Sequence, residues 1–215
     1  RVLSSATHVL QPPPRPAVPI PEWVAALGPA GRPVAYVTFG SMFQPDSALL
    51  RAFAAAAGTV DVEFVASFGP DVATDQVSGL LPANVHVVAF MPREVEQALL
   101  DRADLVVCHG GYGALLNAMS RARPVLCIPQ RNADDPTRLA QLRRLGSVVV
   151  LDEAHRGRDD IADALHALLT RTTYRQAARA VADELATQPG FDAAAGLIEE
   201  LYHRHSADPR PAPSS

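Results

Sequence analysis

The chain of 215 residues contains no lysine: all 19 of its basic residues are arginine. A P-loop needs a lysine on the phosphates, so that class of nucleotide site is excluded. The chain has only two cysteines, each at the end of an apolar run. They read as reduced and buried, which implies a cytoplasmic setting. No apolar stretch approaches the roughly 18 residues that a membrane-spanning helix requires. The first 25 residues hold six prolines and no apolar centre, so they do not form a signal peptide. The basic excess of a typical nucleic-acid binder is also missing, because 19 basic against 23 acidic residues leave a formal charge of −4.

What is present suffices for one sizeable domain and not for two, with 48% of residues apolar. Abundant alanine and the all-arginine basic set are the codon usage of a GC-rich genome, as in actinobacteria. Residues 1–32 contain the run Gln11-Pro-Pro-Pro-Arg-Pro16, followed by Pro19 and Pro21. This favours an extended, polyproline-like linker outside the core, preceded by something that it once joined. Residues 207–215 read as a disordered tail.

Between these ends, β-branched apolar runs occur at 33–39, 60–67, 84–90, 104–108, 124–128 and 147–151. Each is followed by a stretch with helical spacing: 46–58, a short one near 71–80, 93–102, 112–121, 135–145 and 158–169. Two more helices, 173–187 and 191–204, close the chain. Strands alternating with helices predict a doubly wound, Rossmann-like α/β fold with six parallel strands, and near-continuous apolar strands fit burial on both faces. In the strand order 3-2-1-4-5-6, strands 1 and 4 adjoin at the switch point, where ligands bind beyond the carboxyl ends of the strands. The loops that meet there are Gly40-Ser41-Met42 and His109-Gly-Gly-Tyr-Gly113, and the second opens directly into a helix.

A glycine-rich turn into a helix presents bare N–H groups and a positive dipole end, which suit a diphosphate. The plainer reading is that the glycines only permit a tight turn. His109 either donates to a phosphate oxygen or is a hydrogen-bonded structural residue. Asp134-Asp135-Pro136 reads as a cap and first turn, or as carboxylates holding sugar hydroxyls, or as both. Asn117 is one turn into the phosphate-side helix, within reach of a ribose or facing solvent. The other histidines are scattered, and no metal-ligand spacing emerges.

From residue 84 to residue 151 the chain resembles the donor-binding motif of family-1 glycosyltransferases of the GT-B fold, notably bacterial enzymes that glycosylate natural products. The residues that carry this are Phe90-Met-Pro92, His109-Gly-Gly-Tyr-Gly-Ala114, Arg123-Pro124, Asp134-Asp135 and Gly146. Pro21-Glu-Trp23 and the segment Pro33-Val-Ala-Tyr-Val-Thr-Phe-Gly-Ser41 look like the family's linker and first C-terminal strand, and residues 174–198 look like its closing helices.

The resemblance implies the donor-binding half of an inverting glycosyltransferase acting on a dTDP- or UDP-sugar, with a hydroxyl of a polyketide-like aglycone as acceptor. Ser41, His109, Gly110, Gly111, Gly113 and Ala114 would hold the diphosphate. Phe90 and the Met91 backbone would take the base, Asn117 the ribose, and Asp134 and Asp135 the sugar. No metal or other cofactor is implied. The catalytic base belongs to an N-terminal acceptor domain that nothing here supplies, so no catalytic residue is expected on this chain. The chain alone is expected to be inactive and to self-associate through the face left bare, including the helix 191–206. A donor-binding subunit of a split enzyme, a binding-only relative and an epimerase relative are the alternatives. Four departures stand out: Ala114 for Thr or Ser, Asn117 for Glu, Asp135 for Gln, and Arg123 for a Gly before Pro124.

Overall fold

The structure is a computed structural model that describes residues 19–39, 46–69, 77–129 and 136–207. Helix α1 (Glu22–Ala25) leads into strand β1 (Val34–Thr38). Helix α2 (Ser47–Ala57) and strand β2 (Glu63–Ser67) follow. Strand β3 (Val85–Val88) precedes helix α3 (Arg93–Arg102), and strand β4 (Leu105–Cys108) precedes helix α4 (Tyr112–Met119). Strand β5 (Val125–Cys127), helix α5 (Pro136–Arg144) and strand β6 (Val148–Val150) complete the sheet. Helices α6 (Arg158–Thr170), α7 (Thr172–Thr187) and α8 (Phe191–Ala207) close the chain.

The six strands are all parallel, in the order β3-β2-β1-β4-β5-β6 that the alternating pattern predicts. Period-2 alternation sends neighbouring side chains to opposite faces, and each face carries its own core. On one face Ala35, Val37 and Phe39 pack with Phe53, Phe64 and Leu165. The Phe53 ring meets Phe64 edge-on at 5.6 Å and Phe39 edge-on at 6.4 Å. On the other face Val34, Tyr36, Val65 and Val106 pack under α3 and α4. Burial on both faces is why β4 is apolar throughout and β1 is apolar but for Tyr36 and Thr38. Cys108 and Cys127, in register on β4 and β5, are both buried.

Local chemistry sets the ends of these elements. The Asp46 carboxylate accepts the Leu49 N–H at 2.7 Å and so caps α2. The Asp104 carboxylate accepts the Val34 N–H at 2.9 Å, which fixes the start of β1 beside β4.

One expectation is corrected. Residues 1–32 were to lie outside the core, yet Val24 is fully buried and Leu27 nearly so. Pro21 opens a short helix, and Val24 within it and Leu27 just after it pack under α3. Gly28, at φ +66°, donates its N–H to the Glu63 carboxylate at 2.6 Å, and Arg102 donates to the Leu27 carbonyl at 2.8 Å. The last part of the linker is therefore built into the domain. The proline run, residues 71–76 of the helix expected near 71–80, and residues 208–215 of the tail expected at 207–215 lie outside the described residues, while Ala207 belongs to α8. Helix α8 leaves Ile198, Leu201 and Tyr202 exposed. Among the described residues no helix is long and apolar enough to cross a membrane.

Candidate functional site: a nucleotide crevice at the strand ends

Thr38 and Cys108 are paired in register at the ends of β1 and β4, so Phe39 and His109 leave the sheet side by side. Gly40 and Ser41 follow Phe39 but lie outside the described residues. Gly110 has φ +86°, a conformation that a side chain disfavours, and it turns the chain sharply out of β4. Gly111 then takes the N-cap position of α4, where no side chain caps the helix. The first helical bond runs from the Leu115 N–H to the Gly111 carbonyl at 3.0 Å. The N–H groups of Tyr112, Gly113 and Ala114 are thereby left without intrahelical acceptors and point out of the helix start.

His109 is half-buried, and its imidazole lies against Gly111. A Cβ at Gly113 would meet nothing within 4 Å, so that stretch of backbone is open to a ligand. The turn thus brings together His109, Gly110, Gly111, Gly113 and Ala114. With helix dipole, bare N–H groups and an imidazole in one place, it suits a bound anion.

Phe90 and Met91 follow β3 and face different ways: Phe90 is 61% exposed, while Met91 is buried. The Phe90 ring is open to stack a planar group, and Met91 has only backbone to offer. β3 is three strand spacings from β4, roughly 14 Å. That is about the reach of a nucleoside diphosphate stretched between the two. Asn117 is half-buried on α4, its carbonyl accepting from Arg121 at 3.2 Å. Asp134 and Asp135 lie outside the described residues, and α5 begins at Pro136, directly after them.

The structure reassigns one of the four departures. The position that calls for glycine is Ala122, at φ +54°, rather than Arg123. The Arg123 N–H bonds the Ala118 carbonyl and the Ala122 N–H bonds the Met119 carbonyl, both at 3.0 Å. This is a Schellman termination of α4, with its left-handed residue at 122. Arg123 instead caps α3, donating to the Leu100 carbonyl at 3.0 Å and the Asp101 carbonyl at 2.6 Å.

The sequence reading also missed a polar contact beneath the crevice. The Tyr36 hydroxyl donates to Glu96 Oε1 at 3.2 Å. Burial pushes both groups up from their ordinary pKa values, the phenol far above its usual range.

Fold and turn together define a Rossmann-like half of the GT-B glycosyltransferase architecture. Residues 51–201 match the family "Erythromycin biosynthesis protein CIII-like, C-terminal domain", and the chain belongs to that family. It is similar to the TDP-daunosamine transferase DnrS of Streptomyces peucetius, 32% identical over 204 residues that cover 90% of this chain and 44% of that protein. Among solved structures it is similar to the glycosyltransferase SnogD from Streptomyces nogalater, with a TM-score of 0.73 and 31% identity over 91% of this chain and 50% of that one. It is also similar to the glycosyltransferase VinC, solved in complex with dTDP, with a TM-score of 0.71 and 26% identity over 88% of this chain and 45% of that one. The chain spans less than half the length of the curated relatives it matches.

Proposed function

We propose that this chain is the donor-binding half of an inverting glycosyltransferase that moves a sugar from a dTDP-sugar, or a UDP-sugar, to a hydroxyl of a small-molecule natural product. The observation that carries the reading is the uncapped start of α4 beside His109, one nucleotide length from the exposed Phe90. The base stacks on Phe90 and meets the Met91 backbone, and Asn117 takes the ribose. The diphosphate lies on the N–H groups of residues 112–114 with His109 and Ser41. Asp134 and Asp135, after β5, hold the sugar.

In this reading a general base on the acceptor domain removes the acceptor's proton, and the oxygen attacks the anomeric carbon. The negative charge that builds on the departing nucleoside diphosphate is met by the helix start and by His109. Those groups supply the stabilisation without a metal ion. The chain by itself binds donor and transfers no sugar, and the exposed Ile198, Leu201 and Tyr202 of α8 supply a surface for self-association or for the acceptor domain. An actinobacterial, cytoplasmic enzyme of natural-product biosynthesis fits the composition and the relatives' sources.

The test is titration of the chain with dTDP, UDP and ADP by calorimetry, together with amide NMR. Binding of dTDP, with shifts clustering at Phe90, Met91 and residues 109–114, is the expected result. Clustering at the opposite, N-terminal edge of the sheet overturns the assignment, and transfer of sugar by this chain alone overturns the division of labour.

A further inference from the structure

The sheet face under α3 and α4 is lined by apolar side chains, and Tyr36 carries a hydroxyl into the middle of it while only 2% exposed. That hydroxyl donates to Glu96 on α3 and is also hydrogen-bonded by Thr38 and Ser67, which face each other as the last residues of β1 and β2. The Arg121 and Arg93 guanidinium groups act on the Glu96 carboxyl by charge. Arg121 is itself buried, donating to the Asp101 carboxylate at 3.0 Å and to the Asn117 carbonyl at 3.2 Å. Desolvating a carboxyl and a phenol costs more than packing two apolar side chains there, so stability alone does not account for the pair.

Its position does. β1 pairs with β4, which runs on into the turn at 109–114. Helix α3 is entered from Phe90, Met91 and Pro92. Helix α4 starts at the phosphate turn and ends at the Arg121 side. Under the crevice the Tyr36–Glu96 hydrogen bond ties β1 to α3, and Arg121, behind α4, acts on the same carboxyl by charge.

We propose that Glu96 is a positioning residue for nucleotide binding: through its contact with Tyr36 it holds the base platform at Phe90 at a fixed distance from the phosphate turn at 109–114. It touches no ligand atom. The proposal rests on the donor-site reading above, and it makes a claim that a merely structural contact does not. Only a ligand that spans both ends of the crevice feels the distance between them.

Calorimetry on the full chain tests this with thymidine diphosphate, which spans the crevice, and with thymidine and pyrophosphate, which each occupy one end. Tyr36→Phe, which removes only the hydroxyl, and Glu96→Ala are expected to weaken thymidine diphosphate about five-fold and to leave the two half-ligands within about two-fold. Glu96→Gln still accepts the phenol's hydrogen bond, so it is expected to keep the wild-type affinity for thymidine diphosphate within about two-fold. Equal weakening of all three ligands, loss of thymidine diphosphate binding in Glu96→Gln, or no effect of Tyr36→Phe overturns the proposal. Failure of the wild-type chain to bind thymidine diphosphate is a different result: it defeats the donor-site reading, and the proposal falls with it.

Discussion

The His109 imidazole occupies the space that a side chain at Gly111 would need: a Cβ on Gly111 comes within 2.5 Å of the ring Nε2 and 2.8 Å of Cε1. The backbone at Gly111, with φ −59° and ψ 141°, is one that any residue can adopt. Glycine is required there by the histidine, not by the turn. Gly111→Ala must swing the ring aside, at a cost of about 1 kcal/mol in stability. Thymidine diphosphate binding should fall by about ten-fold or more in calorimetry, while the thermal midpoint drops only a few degrees.

Gly113 is the contrasting case, since nothing lies within 4 Å of a Cβ built there. Gly113→Ala should raise stability by up to about 1 kcal/mol, because it removes backbone freedom from the unfolded chain and favours the helix. Its methyl group stands over the open helix start, so diphosphate binding should weaken. A melt and a titration on one sample check both signs; tighter binding would show that the ligand does not approach this backbone.

His109→Ala should weaken thymidine diphosphate by about 1.5–3 kcal/mol, the range for a hydrogen bond to a charged group. Thymidine alone should bind as before. An equal loss for both ligands in parallel titrations would assign His109 to the fold rather than to the phosphate.

Ala122 holds the left-handed position that ends α4, at φ +54°. A Cβ there is strained by roughly 1–2 kcal/mol, against which glycine loses some unfolded-state entropy. Ala122→Gly should therefore stabilise the domain by about 0.5–1 kcal/mol in denaturant titration, with nucleotide affinity unchanged.

Glu96 gives stability a pH dependence of fixed sign. Its pKa is raised in the folded chain, chiefly by burial and against the Tyr36 hydrogen bond and the charges of Arg121 and Arg93, so the folded state holds this proton more tightly than the unfolded state. The carboxyl's contribution is complete below the unfolded pKa and is lost as pH rises through the folded one. Denaturant titrations of wild type and Glu96→Gln should draw apart in that direction, the glutamine variant gaining relative stability from acid to neutral pH. A constant difference between the two would contradict the burial of this carboxyl.

The sequence by itself determined the sheet and where its crevice lies. Six apolar runs, each followed by a helix-period stretch, admit few arrangements, and the glycines after strands 1 and 4 mark the switch point whatever the packing details. His109, Gly110, Gly111 and Gly113 were legible because a bare turn into a helix is written in consecutive residues. Tertiary structure decided what depends on residues far apart. Val24 and Leu27 look like part of a proline-rich strap until α3 is laid over them. Arg123 looks like a lost glycine until the end of α3 supplies carbonyls for it to cap. Tyr36 and Glu96, 60 residues apart, carry no local signal at all. Local propensity and period act over a few neighbours, whereas burial, and the hydrogen bonds that burial makes obligatory, exist only once the sheet and its helices have closed around a side chain.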